Sequence, residues 1–210
     1  MEGRLITPFS MAIYASRGSG KTFFTVNLIK NQLEKIYKPF RRLVWIYKHP
    51  QQEVFNELSS NIDLDIEFVQ TIPDFSTWEK QENTLVVLDD FMSEASHDVQ
   101  VSGLFTDGRH KNVSVIFLAQ NLFHRGKHSR DIALNSDYIA LFKNVRDKTQ
   151  IQNLARQMYP GNVPFLMWAY TEATKDNFGY LFLDLKPYTE DRLRVRSDIL
   201  NWYQTIYEMV

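Results

Sequence analysis

Short apolar runs alternate with longer amphipathic stretches along most of the chain. The short runs show no polar alternation, which is typical of strands buried on both faces of a sheet. The amphipathic stretches between them indicate helices that cover those faces. The pattern predicts strands at 10–15, 43–47, 66–69, 84–88, 113–119, 138–142 and 180–183, and helices at 20–36, 51–58, 148–158 and 199–209.

Strands that alternate with helices favour an α/β fold with a mainly parallel central sheet. No internal repeat and no Pro-, Gly- or Ser-rich linker divides the 210 residues, so the sequence predicts a single domain over 1–210. Because the last helical pattern follows the last predicted strand, residues 185–210 are expected to form a helical extension of that domain.

Composition narrows the classes of function. The chain has 24 Lys and Arg against 25 Asp and Glu, a formal net charge of -1, so nucleic acid would have to bind a local basic patch. There is no cysteine, which excludes disulfides and thiolate metal sites. No apolar run approaches the ~18 residues of a transmembrane helix, and no signal-peptide pattern opens the chain, so we expect no membrane partner.

The segment 15–22, Ala-Ser-Arg-Gly-Ser-Gly-Lys-Thr, joins the first predicted strand to the first long helix. It fits the phosphate-loop pattern G-x-x-x-x-G-K-[ST], except that Ala15 replaces the first glycine. Glycines let backbone N–H groups turn towards phosphate oxygens, and the helix N-terminus adds partial positive charge. Lys21 is predicted to reach the terminal phosphates and the Thr22 hydroxyl to ligate Mg²⁺. The residues predicted to bind the nucleotide are Ser16, Arg17, Gly18, Ser19, Gly20, Lys21 and Thr22.

Polar side chains end two of the predicted strands. Asp89 and Asp90 follow the run 84–88, and Gln120 follows the run 113–119. Ligands of open α/β sheets bind outside the carboxyl ends of the strands, so these side chains should converge with the phosphate loop. Asp89 is the candidate for holding Mg²⁺, and Gln120 for contacting the γ-phosphate or orienting water. Asp90 is the candidate general base.

The assignment of Asp90 leaves an alternative open. A glutamate at this position, with its longer side chain, would reach further towards the attacking water than an aspartate does. Glu94 or an ordered water could compensate for the shorter carboxylate.

These three features, in this order, resemble the additional-strand, RecA-like phosphate-loop ATPases, and among them the FtsK/HerA superfamily. The sequence is most similar to the genome-packaging ATPases of large DNA viruses and of Maverick/Polinton elements, over roughly residues 8–196. The stretches that carry the likeness are 85–91, 109–124, 134–144, 146–149, 154–160 and 179–181.

The resemblance implies a three-layer sandwich and an ATPase that uses ATP and Mg²⁺ to move double-stranded DNA into a preformed capsid. It also implies a ring of five or six subunits and contacts with capsid proteins. The corresponding location is inside the host cell, in nucleus or cytoplasm, where virions assemble.

Arg109 lies before the strand that ends in Gln120. It should therefore lie near the opposite end of the sheet, about one strand length from the phosphate loop of its own subunit. This predicts a catalytic role at the nucleotide of a neighbouring subunit, where a cation stabilises charge on the transferring phosphate. The resemblance to FtsK-type motors points to the same position. Arg130 and Arg146 are alternatives for this role, and an ordinary surface arginine is the other interpretation of Arg109.

Three basic clusters are candidates for DNA contact: 38–42, 124–130, and the alternating arginines of 192–196. The second is favoured because it lies just past Gln120. Its Lys and Arg side chains would give sequence-independent, salt-sensitive contacts with phosphates. A solvated face or ion pairs between subunits is the alternative for each cluster. The favoured DNA-binding residues are Arg125, Lys127 and Arg130.

Two other functions fit a phosphate loop in a chain of this size. A small nucleotide kinase would need an arginine-rich lid and a nucleobase pocket, and the Asp-Asp strand end and Gln120 fit it poorly. A non-motor switch specific for guanine nucleotides should contain N-K-x-D, which 143–147, Lys-Asn-Val-Arg-Asp, does not match. Stimulation of hydrolysis by DNA separates the motor from both.

Overall fold

The computed structural model describes residues 3–91, 99–120 and 129–209. Together they form a sheet with the strand order β3-β2-β4-β5-β1-β6-β7-β8-β9. The strands are β1 Ser10–Tyr14, β2 Arg42–Tyr47, β3 Asp65–Val69, β4 Thr84–Asp89, β5 Val113–Ala119, β6 Tyr138–Phe142, β7 Tyr180–Asp184, β8 Val195–Ser197 and β9 Thr205–Ile206. The helices are α1 Lys21–Lys30, α2 Gln32–Lys35, α3 Gln52–Asn61, α4 Val99–Asp107, α5 Ser129–Leu134, α6 Thr149–Met158 and α7 Val163–Ala173.

The sheet has a parallel part and an antiparallel part. The first six strands in this order, β3, β2, β4, β5, β1 and β6, pair in parallel. Strands β7, β8 and β9 extend the sheet with antiparallel pairing. Every residue of β1, β4, β5 and β6 is buried, as the continuous apolar runs predict. The predicted α/β fold with a mainly parallel central sheet is confirmed.

Helices cover both faces of the sheet. One apolar cluster joins the inner sides of α1 and α3 to one face, through side chains such as Phe24 and Leu58. The other cluster packs helices α4, α5, α6 and α7 against the opposite face, through side chains such as Leu104, Ile151 and Leu166. The result is the three-layer arrangement expected of a RecA-like domain. Within the described residues, no helix is long and apolar enough to cross a lipid bilayer.

The long helix predicted over 20–36 is divided in two. Asn31 lies between α1 and α2 with φ -96° and ψ 20°, outside the helical region. Its side-chain Nδ2 and its backbone N–H both donate to the carbonyl of Asn27, at 2.9 and 3.0 Å. The backbone bond is the ordinary helical bond of the last turn of α1, and the side-chain bond gives the same carbonyl a second donor where the helix stops.

The expected helix over 199–209, and with it the helical extension over 185–210, is wrong. This segment contains a turn followed by β9, which pairs with β8. Asp198 has φ +59° and accepts a hydrogen bond from Thr205 Oγ1 at 3.0 Å, which closes the turn. Ile199 packs into one face of the sheet and Tyr207 into the other. One amphipathic helix cannot present its apolar side to both faces.

The two edges of the sheet differ. Strand β3 carries Asp65 and Glu67, whose side chains are 80% and 50% exposed, and both form ion pairs with Arg42 of β2. Strand β9, at the other edge, consists of only the two residues Thr205–Ile206.

Candidate nucleotide-binding site

The segment between β1 and α1 has the backbone conformation of an anion-binding loop. Gly18 and Gly20 have φ +78° and +98°, values that side chains other than hydrogen adopt only with strain. Ser19 closes the loop by donating from its backbone N–H to the carbonyl of Ser16 at 3.2 Å. Ala15 directly follows β1 and is still bonded to β5, because its N–H donates to the carbonyl of Ala119 at 3.0 Å. A buried alanine there leaves the glycine-dependent turn itself unchanged.

Lys21, Asp90 and Gln120 form one hydrogen-bonded group at the carboxyl edge of the parallel strands. Lys21 Nζ lies 2.8 Å from Asp90 Oδ1, and Gln120 Nε2 donates to the same oxygen at 3.4 Å. Asp90 follows β4 with φ +61°, a left-handed conformation that turns its side chain out of the strand alternation. The strand-end pattern anticipated this convergence.

The charge of Asp90 depends on its neighbours. Partial burial alone would raise the pKa of this carboxyl, but the hydrogen bond and charge of Lys21 and the hydrogen bond of Gln120 outweigh that effect. The pKa of Asp90 therefore lies below its ordinary value. Removing Lys21 from this contact would make Asp90 more basic.

Asp89 occupies a different environment, although it is adjacent in sequence. It is 1% exposed, and burial raises the pKa of its carboxyl, with the charge of Lys21 opposing the shift. Oδ2 accepts a hydrogen bond from Gln51 Nε2 at 2.7 Å. Oδ1 is buried and has no hydrogen-bond partner among the residues that the structure describes. A buried carboxylate oxygen without a partner, close to the end of the phosphate loop, is a suitable ligand for Mg²⁺.

Gln51 is a site residue that the strand-end argument did not identify. It follows β2, the strand that pairs with β4, so the rule that located Asp89 and Gln120 applies to it as well. The signal was available in the sequence. It was overlooked because three residues, 48–50, separate the end of β2 from Gln51.

Arg109 lies far from the phosphate loop of its own chain, as predicted. It belongs to the 3-10 turn Gly108–Lys111, which precedes β5, whereas Gln120 follows that strand. Its guanidinium forms an ion pair with Asp137, which is 5% exposed and also accepts from the Ser10 backbone N–H at 2.9 Å. The Arg109 side chain is 53% exposed, so the pair presents the cation at the surface.

The structure leaves part of the predicted DNA surface undescribed. Arg125 and Lys127, like Glu94, lie outside the described residues, and Arg130 is described only as part of α5. The third basic cluster, over 192–196, lies within the described residues. Arg196 is 2% exposed and pairs with Asp184 at 3.5 Å, so burial removes it as a DNA contact.

A glycine loop between a buried strand and a helix, beside an acidic strand end at the carboxyl edge of a parallel sheet, defines a phosphate-loop NTPase. A family model described as Poxvirus A32 protein matches residues 2–159. The chain belongs to this family, which confirms the resemblance to viral genome-packaging ATPases. No curated protein matches the sequence.

Solved structures show the same fold. The genome-packaging NTPase B204 of Sulfolobus turreted icosahedral virus 2 in complex with ATP-gammaS is 10% identical with a TM-score of 0.54, covering 99% of this chain and 98% of that one. Its complex with AMPPCP gives 10% identity and a TM-score of 0.57, covering 96% and 98%. The cytoplasmic domain of the type VII secretion ATPase EccC of Thermomonospora curvata is 12% identical with a TM-score of 0.52, covering 96% of this chain and 24% of that one.

Proposed function

We propose that this protein is an ATPase that hydrolyses ATP with Mg²⁺ and uses the reaction to move double-stranded DNA into a preformed capsid. The observation that carries the proposal is the group formed by Lys21, Asp90 and Gln120 beside the phosphate loop. Membership of the poxvirus A32 protein family supports genome packaging as the process. The B204 structures with ATP analogues support a triphosphate as the ligand.

The contacts of Lys21 suggest how binding prepares hydrolysis. Lys21 Nζ is held by Asp90 in this structure, at a distance of 2.8 Å. A triphosphate on the loop attracts the ammonium group more strongly than one carboxylate does, so Lys21 exchanges Asp90 for the terminal phosphate. Asp90 then loses the neighbour that lowers its pKa and becomes a better proton acceptor.

In the hydrolytic step, the oxygen of water bonds to the γ-phosphorus while the bond from that phosphorus to the bridging oxygen breaks. Asp90 accepts the proton of the water. Gln120 donates towards Asp90 and would orient the same water molecule. Lys21 balances charge on the phosphate oxygens. Thr22 and Asp89 would hold Mg²⁺, which supplies additional charge stabilisation on the phosphates.

Assembly and DNA contact are further parts of the proposal. A ring of five or six subunits would bring Arg109 of one subunit to the nucleotide of the next. The loop with Arg125, Lys127 and Arg130 would contact DNA phosphates, since it follows Gln120 in the sequence. Capsid proteins are the proposed partners at the entry site for DNA, inside the infected cell.

The test is phosphate release from ATP with and without linear double-stranded DNA. We expect DNA to raise turnover, Lys21→Ala to abolish it, and the exposed control Lys80→Ala to leave it unchanged. Displacement of a third strand from a DNA triplex would report translocation directly. Transfer of phosphate to a nucleoside monophosphate would support the kinase instead, and slow turnover that ignores DNA would support the switch.

A further inference from the structure

A cavity of about 590 Å³ opens directly beside the phosphate loop. It extends from Gly20 along one side of α1 and is closed on the other side by α7 and the connection between α7 and β7. Three exposed aromatic side chains line it: Phe23, Phe178 and Trp168, which are 66%, 64% and 52% exposed. The Trp168 ring packs edge-on against Tyr207, whereas Phe23 and Phe178 lie at the end next to the phosphate loop. Asn27 and Asn177 also line the cavity.

Phe178 lies against the phosphate loop itself. A methyl group built onto Gly20 would come within 3.0 Å of Phe178 Cδ1, so the ring contacts the last glycine before α1. Phe178 has φ +63°, a conformation that aromatic residues rarely adopt. The turn requires a glycine at position 179, because a Cβ atom there would lie 2.4 Å from the carbonyl oxygen of Ala173.

Packing does not account for this ring. A core aromatic would be buried, but almost two thirds of Phe178 faces solvent while its backbone is strained. Its ring and that of Phe23 instead border the space that continues from the phosphate loop. In a nucleotide, the ribose joins the base to the α-phosphate, so the base must lie next to the loop that holds the phosphates.

We propose that Phe178 is the stacking surface for the base of the bound nucleoside triphosphate, with Phe23 bordering the same site. The inference rests on the proposed function, since it assumes that phosphates occupy the loop of residues 15–22. Stacking on an aromatic ring accepts every base but favours the larger π-surface of purines. We therefore expect ATP and GTP to bind more tightly than CTP and UTP.

The experiment compares ATP with inorganic tripolyphosphate, which has the phosphates but no base. Dissociation constants are measured by calorimetry for the unmodified protein, Phe178→Asn and Phe178→Trp. Asparagine tolerates a positive φ, so Phe178→Asn removes the ring while keeping the turn. It should weaken ATP by about 5- to 150-fold, the range reported for loss of one base–aromatic stack, and change tripolyphosphate less than twofold.

Two variants serve as controls. Phe178→Trp should keep the ATP affinity of the unmodified protein, because it restores an aromatic surface. Tyr203→Ala removes another exposed aromatic, 84% exposed and outside the cavity lining, and should leave both ligands unaffected.

Three results would overturn the assignment. Equal losses of ATP and tripolyphosphate in Phe178→Asn would mean that the ring only shapes the loop. Unchanged ATP affinity in Phe178→Asn would mean that the base lies elsewhere. If subunit association or DNA binding became weaker instead, the ring would belong to the subunit interface or to the DNA-binding surface. If the unmodified protein bound neither ATP nor tripolyphosphate, the proposed function itself would fail, independently of Phe178.

Discussion

Gln51 Nε2 donates a hydrogen bond to Asp89 Oδ2 at 2.7 Å, across 38 residues of sequence. This bond joins the segment after β2 to the end of β4. It satisfies one oxygen of a buried carboxylate and leaves the other, Oδ1, without a partner among the described residues. Gln51 is therefore a positioning residue, because it fixes which oxygen of Asp89 is available to a metal ion.

Replacing Gln51 by leucine should weaken Mg²⁺-dependent nucleotide binding about tenfold or more, in the range found for lost outer-shell partners of metal ligands. Stability should fall by roughly 1–3 kcal/mol in the absence of Mg²⁺, because a buried carboxylate loses its hydrogen bond. Mg²⁺ titration of nucleotide affinity and urea unfolding measure the two effects. A variant with lower stability and an unchanged Mg²⁺ dependence would show that Gln51 only supports the fold.

Asn substitutions should separate the roles of the two carboxylates at the end of β4, Asp89 and Asp90. Asp89→Asn should raise the thermal midpoint without Mg²⁺, because burial disfavours the charged carboxylate, and should remove the increase that Mg²⁺ and ATP together produce. Asp90→Asn should retain nucleotide binding but lower kcat, because a proton acceptor acts mainly in the transition state. Thermal unfolding and single-turnover kinetics test both. Loss of turnover in Asp89→Asn with unaltered metal dependence would mean that the two roles are exchanged.

Arg109→Ala should lower turnover of the assembled protein about a thousandfold, if Arg109 acts on the nucleotide of the neighbouring subunit. The exposed Arg156→Ala is the matched control and should remain active. Mixing Arg109→Ala with Lys21→Ala should restore part of the activity, since some interfaces then combine an intact loop with an intact arginine. If the two variants assemble together without any recovery, and Arg109→Ala alone hydrolyses ATP normally, the cation comes from elsewhere.

The loop 124–130 should determine the salt dependence of DNA binding. Neutralising Arg125, Lys127 and Arg130 together should lower the slope of log affinity against log salt by about 2.7, at ~0.9 per phosphate contact. Loss of the same charge at Lys30, Lys80 and Lys148 is the control and should leave the slope unchanged. Fluorescence anisotropy over a salt series gives the slopes. Equal slopes for the loop variant and the unmodified protein would assign these residues to a solvated face.

Stability should increase between about pH 8 and 10 because of Lys186. Burial lowers the pKa of this side chain from 10.5 to about 8; Asp137 and Asp184 oppose the shift and Arg109 adds to it. Between these pKa values the unfolded chain binds more protons than the folded one, so raising the pH favours folding. Above pH 10 the effect should reverse, because burial raises the pKa of the Tyr138 phenol and only the unfolded chain ionises easily.

Urea midpoints measured across this range test the expectation, with Lys186→Met as the comparison. Methionine cannot donate to Ile6 O and Tyr138 Oη, as Lys186 does at 2.8 and 2.9 Å, so the variant should be less stable than the unmodified protein near pH 10, where little of the cost of burying the charge remains. Its stability should nevertheless stay flat from pH 8 to 10. A rise equal to that of the unmodified protein would assign the effect to other groups.

Sequence patterns located the parts of the site that follow from local rules. A strand, a glycine loop and a helix placed Lys21, and the ends of parallel strands placed Asp90 and Gln120 at the same edge. Phe178 was missed because its role depends on a contact with Gly20, which is distant in sequence. The spacing of apolar residues along the chain gives no sign of such a contact. The final segment was misassigned because Ile199 and Tyr207 have a helix-like spacing but anchor on opposite faces of the sheet.

The edges of the sheet limit how copies of this protein can associate. An open edge strand is a template on which another chain can add its own strand, the route that leads to fibres. Here β3 presents Asp65 and Glu67 to an incoming strand, and β9 offers only two residues for pairing. Continuous strand addition between copies is therefore disfavoured at both edges. Subunits of a motor would instead meet through side chains, in contacts that can loosen and re-form during each cycle without unravelling a shared sheet.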